Sequence, residues 1–224
     1  RSFLLRYLLA VLALFLNLAA LPPARPAWAQ APLPQVHFRV ESQAARAVAE
    51  ICGEIWKTEG PRIMSELVPT DVRLDTITCL VLDDAAFQRN FAGRLPDWGV
   101  GVAMPGGRFI AINYTRLSVV GRGAREVFLH EIVHAILFQM TGDVWLPTWF
   151  HEGCAMLYSG EWRFSDTVSL VMDGKVPNLE RLQGSFPAPA GLADRAYRTS
   201  LLAVNRLRDE HGENVVGEIL LATR

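Results

Sequence analysis

Residues 125–142 read REVFLHEIVHAILFQMTG. Val127, Phe128, Leu129, Ile132, Val133, Ile136, Leu137, Phe138 and Met140 put apolar side chains nearly all round one helix. Such a helix is buried, so the pattern predicts a core helix over about 124–140 with Gly142 at its C-terminal cap. His130, Glu131 and His134 interrupt that apolar surface. Polar groups in a buried helix are costly unless satisfied. Positions four apart lie on one face, one turn apart, so two imidazoles can grip one metal ion. Glu131 is rotated about 100° from His130 and still reaches a water on that ion. Zinc suits the set, because it takes nitrogen and carboxylate ligands and leaves one position open. The rival reading is that HExxH arose by chance and its polar groups hydrogen-bond to core partners.

A third ligand must come from elsewhere. The longer pattern HExxHxxGxxH is excluded by Leu137 and Met140 at its glycine and histidine positions. Residues 146–158, LPTWFHEGCAMLY, offer a second helix, with Pro147 at its start and Thr148 as a cap. Glu152 lies on that helix and His151 competes with it. Neighbouring helical residues point about 100° apart, so only one of the two binds the ion. Glu152 is expected, since two His and one Glu form a known catalytic zinc set. His37 and His211 stand outside any constellation and are read as surface residues.

Upstream, residues 41–59 show helical apolar spacing at Ala44, Val48, Ile51, Cys52, Ile55 and Trp56, ended by Gly60-Pro61. TITCLVL at 76–82 reads as a buried strand, and Asp83-Asp84 cap a short helix through Phe91. GVGVAM (99–104) and RFIAIN (108–113) flank Pro105-Gly106-Gly107, a strong hairpin signal. Downstream, helical patterns follow at about 148–159, 194–211 and 213–222, with Gly212 as another cap. Strands come first and helices dominate later, which predicts an α+β fold. The mature chain, 30–224, is expected to be one domain, with an α/β part over about 36–142 and a helical part over about 143–224. The stretch 160–193 reads as a linker or a lid.

The chain has 224 residues, 22 Lys+Arg and 23 Asp+Glu. That balance argues against an electrostatic nucleic-acid binder. Half the residues are hydrophobic, which excludes intrinsic disorder. Residues 1–29 carry three arginines and no acid; without them 19 basic and 23 acidic residues remain. Within this segment, YLLAVLALFLNLAAL (7–21) is short for a membrane span, which needs about 20 residues, and fits a secretory signal. Ala27-Trp28-Ala29 predicts cleavage after Ala29, so the protein is expected to be exported to the periplasm or cell exterior. The alternative is an uncleaved membrane anchor. In an oxidising compartment two of the three cysteines can pair, and Cys52 with Cys79 is the expected bridge, against three buried thiols.

HEIVHAIL followed by LPTWFHEGCAMLYSG resembles the gluzincin metallopeptidases, in particular the small peptidase MA-like family of bacterial secreted proteins. Members carry HExxH, then a proline-tryptophan stretch leading into an E-G-x-A helix, and the likeness spans roughly residues 76–222. It implies a zincin-like fold: a small mixed sheet with an edge strand packed on the HExxH helix, followed by a helical subdomain. It implies one zinc ion on His130, His134 and Glu152, and Glu131 as general base acting on peptide or protein substrates. GRFIAIN resembles the family's substrate-binding edge strand, with GVGVAM as its partner or as cleft wall; plain sheet core is the alternative. Tyr197 resembles the tyrosine that stabilises the oxyanion, with Tyr158 as runner-up and a core-edge role as the alternative. One departure stands out. The thermolysin-like branch has an Asp one turn after the Glu ligand, and here that position is Met156. Two rival functions therefore stand beside a secreted zinc peptidase. One is a catalytically weak scaffold of the same fold. The other is a membrane-anchored structural protein whose His and Glu residues are incidental.

Overall fold

The computed structural model describes residues 31–91, 99–117, 123–142, 144–161, 178–186 and 190–223. The expected leader and cleavage site, and most of the 160–193 stretch, lie outside the described residues.

The described fold is α+β, with a small four-stranded sheet and six α-helices. The strands are β1 (Val36–Val40), β2 (Ile77–Leu82), β3 (Gly101–Ala103) and β4 (Phe109–Asn113). Their order is β1-β2-β4-β3, with β1, β2 and β4 parallel and β3 antiparallel to β4. The helices are α1 (Gln43–Leu67), α2 (Asp84–Phe91), α3 (Ala124–Thr141), α4 (Thr148–Ser159), α5 (Ala190–His211) and α6 (Val215–Ala222). No helix among the described residues is long and apolar enough to cross a membrane.

Alternation along the strands sorts the two faces of the sheet. Ile77, Cys79, Val81, Ile110 and Ile112 belong to the main core, shared with α1, α3, α4 and α6. Leu82 and Ala111 turn the other way and pack on Ala86, Phe87 and Phe91 of α2. The core helix is as expected: α3 has Val127–Leu137 wholly buried, and Gly142 ends it at φ 60°. That φ suits glycine because it has no Cβ.

The predicted hairpin forms, but its roles are reversed. Phe109–Asn113 is an internal strand paired on both sides, and Gly101–Ala103 is the edge. Gly107, at φ 67°, fixes this arrangement. A Cβ there would come within 2.1 Å of the Ala135 carbonyl oxygen, so only glycine lets the turn lie against α3. Gln139 Nε2 donates to the Gly107 carbonyl at 2.8 Å and pins the turn to the helix.

Four further expectations are corrected. First, α1 does not stop at Gly60-Pro61 but runs on to Leu67. Proline inside a helix costs about 3 kcal/mol. Complete burial of Ile63, Met64 and Leu67 offsets that cost. Second, its buried face uses Ala45, Ala49, Cys52 and Trp56, and leaves Ile51 54% exposed. Third, Thr148 is the first residue of α4 and not its cap; its hydroxyl donates to the Gly184 carbonyl at 3.2 Å. Fourth, Cys52, Cys79 and Cys154 are all free and buried, so the expected bridge is absent. The strand β1 was not read from the sequence, although VHFRV alternates apolar and polar residues.

Candidate metal centre

Two helices and one turn build the site. α3 carries His130, Glu131 and His134, which are only 6–8% exposed. α4 crosses it and brings Glu152 to the same point. On another side α4 lies close against α5, because Gly153, next to Glu152, packs on the backbone of α5. A Cβ at Gly153 would lie 2.4 Å from the Ser200 carbonyl oxygen.

Ligand atoms of His130, His134 and Glu152 all lie within 4.8 Å of one another, as a metal ion would require. Glu152 Oε2 is 3.3 Å from His130 Nε2 and 3.4 Å from His134 Nε2. Yet it is buried and makes no aligned hydrogen bond. The other ring nitrogens explain why. His130 Nδ1 donates to Glu161 Oε1 at 2.6 Å, and Ser159 Oγ lies 3.0 Å from that same oxygen. His134 Nδ1 meets His151 Nδ1 at 2.5 Å, with the two rings stacked 4.6 Å apart. With the proton on both Nδ1 atoms, as ligation of an ion would require, each ring would turn an unprotonated Nε2 toward Glu152. Three lone-pair atoms would then converge on one spot, an arrangement that could hold a metal ion. The donor set therefore fits a metal ion.

Burial disfavours charge on His130, but the carboxylates of Glu161 and Glu152 outweigh it and hold its pKa well above the ordinary histidine value. Burial disfavours the Glu152 carboxylate too, and the His134 and His130 rings outweigh it and hold its pKa well below the usual range. These shifts describe the chain without an ion; a bound cation would take the place of the extra proton. His151 is different. Burial and the neighbouring His134 lower its pKa to about 3, so it is neutral. It sits behind His134 and outside the ligand cluster.

Glu131 lies beside the ligands. Burial pushes its pKa up, against the pull of His130 and His134. Its side chain occupies the space over Gly101 of β3, where a Cβ would come within 2.5 Å of Glu131 Oε1. Glycine at the edge strand thus makes room for the carboxylate.

Tyr197 is half-buried on α5 and packs edge-to-face on Phe186 at 4.8 Å. Tyr158 is sealed in the core, at 0% exposure, on the inward face of α4, where a substrate cannot reach it. His37 and His211 are exposed, away from the cluster.

Sequence reasoning missed Glu161. It follows a Schellman turn at the end of α4: Gly160 adopts φ 75°, Gly160 N–H donates to Leu157 O at 3.3 Å, and Glu161 N–H to Met156 O at 3.2 Å. That turn folds the chain back alongside His130. Arg62 and Arg125 hold the last α4 carbonyls, those of Tyr158 and Ser159. Ser159-Gly160 was the available signal for the turn, but nothing in the spacing pointed Glu161 at His130. Comparisons of the chain with protein-family models, with curated proteins and with solved structures find no match.

Proposed function

We propose that the chain is an exported zinc-dependent peptidase of gluzincin type with a zincin-like fold. The observation that carries this is the convergence of His130, His134 and Glu152, with Glu131 beside them against β3, the edge strand of the sheet among the described residues. When bound, the zinc ion supplies Lewis acidity, polarising a peptide carbonyl and making a water acidic enough to lose its proton. Glu131 accepts that proton, and its raised pKa suits it to pass the proton to the leaving amine. Glu161 and His151 keep the two ligand rings in the tautomer that presents Nε2.

The substrate backbone has a place to bind. Asn113 N–H donates to Val100 O, and Met104 N–H to Phe109 O. In an antiparallel pair the backbone groups alternate in direction. Those of Gly101 and Ala103 therefore turn away from β4, toward the open edge. An extended peptide can add there as a further strand. Tyr197 is the candidate hydroxyl for the developing oxyanion. Export rests on the apolar run 7–21 and Ala27-Trp28-Ala29.

The scaffold reading drew its force from the unassigned oxyanion tyrosine and from Met156, where an orienting acid was missing. Glu161 occupies that role from another position, which favours catalysis. The test is cleavage of a mixed peptide library by the purified protein with and without a chelator. Chelator-sensitive cleavage is expected, as is retention of zinc with a loss of about 10²–10⁴ in rate for Glu131→Gln. A Glu131→Gln variant as fast as its parent would overturn the assignment.

A further inference from the structure

A cavity of ≈ 410 Å³ opens directly beside the ion site, with His151 and Glu152 in its wall. The rest of the wall includes Pro105, Phe138, Val144, Trp145 and Leu146. Val144 and Trp145 are 45% and 47% exposed, a cost in water that a bound apolar group would remove. Phe138, also in the wall, lies 4.6 Å from the His151 ring. Among the described residues of the wall, Glu152 and His151 are the only titratable side chains, and both are engaged at the ion site. Among the described residues no wall group is therefore left to neutralise a charged guest, and burying an unpaired charge is expensive.

The position of the cavity along the edge strand sets which substrate residue it meets. β3 runs from Gly101, over Glu131, toward Ala103 and then to the turn at Pro105. A peptide added antiparallel to β3 runs the opposite way. Its bond at Glu131 then has its amino-terminal residues along Ala103 and Pro105, where the cavity opens.

We propose that this cavity is a specificity pocket that takes a large apolar or aromatic side chain from the three residues preceding the scissile bond; this rests on the hydrolytic reading above. The size fits, since ligand pockets begin at about 300 Å³.

The test is to digest a proteome-derived peptide library with the zinc-loaded protein and map the cut sites by mass spectrometry. Phe, Tyr, Trp, Leu and Met should be enriched about fivefold or more within the three residues before the cut. Val144→Asp, at an exposed position, should lower that preference about tenfold and favour Lys and Arg instead. Enrichment confined to the carboxyl side of the cut, or a profile unchanged by Val144→Asp, overturns the pocket. A second measurement separates its failure from failure of the hydrolytic reading. Calorimetric titration of the Glu131→Gln variant compares a blocked tripeptide with central phenylalanine against one with central aspartate. If no chelator-sensitive cleavage occurs, hydrolysis is refuted. The pocket then stands on a tenfold or greater preference for the phenylalanyl peptide that Val144→Asp abolishes, and falls on equal affinities.

Discussion

Glu161 illustrates how a single residue outside a motif can complete it. Its carboxylate accepts a hydrogen bond from His130 Nδ1 at 2.6 Å and so leaves Nε2 as the nitrogen that faces His134 and Glu152. Removing such a partner typically lowers metal affinity or activity by about 10–100-fold. Glu161→Gln is therefore expected to weaken zinc binding within that range in a competition titration with a chromogenic chelator. Glu131→Gln should leave affinity near that of the parent. Zinc affinity unchanged in Glu161→Gln would show that His130 is oriented by something else. The candidate ligands His130 and His134 were legible in the sequence because helical spacing is local, and Glu152 because two His and one Glu are a known zinc set. Glu161 was not, because its approach to His130 depends on a turn and on where α4 lies.

Among the elements, the contact between α4 and α5 is the most exacting. Gly153 allows the two helices to meet backbone to backbone at Ser200. Overpacking a close contact costs about 1–3 kcal/mol. Gly153→Ala should destabilise the fold by that free energy, read as a lower urea midpoint with an unchanged slope, and should weaken zinc binding because Glu152 rides on the same turn. A parent-like midpoint would mean the contact relaxes freely. The glycine of the E-G-x-A pattern thus acquires a physical reason that the pattern alone lacked. Helix boundaries show the complementary lesson. Caps at Gly142 and Gly212 were read correctly, because a positive φ is a local demand. The end of α1 was misread, because the burial of Ile63, Met64 and Leu67 is a tertiary gain that outweighs Pro61. The edge and inner strands of the hairpin were exchanged for the same kind of reason: pairing of β4 with β2 is a long-range contact.

At the scale of the molecule, three buried thiols tie stability to pH. Burial raises the Cys52 pKa to about 12 and pushes those of Cys79 and Cys154 well above the usual thiol value. The unfolded chain ionises them near pH 8.5. Stability is thus fully present below that pH and falls as pH rises toward the folded values, by about 1.4 kcal/mol per pH unit for each thiol. Thermal unfolding between pH 7 and 11 should be flat at first and then decline, and Cys154→Ala should reduce the slope by about one third. An equally steep decline in the variant would place the loss elsewhere. What the sequence by itself determined is the local chemistry: a buried helix bearing HExxH, a second helix bearing Glu152, a glycine hairpin and an α+β order of elements. Each follows from periodicity or backbone conformation within a few residues. Only the tertiary structure decided which strand is the edge, that the cysteines stay free, that Glu161 and His151 hold the ligand rings, and that Gly101 yields its space to Glu131. Those depend on contacts between residues distant in the chain, and their free energies come from packing that no local pattern encodes.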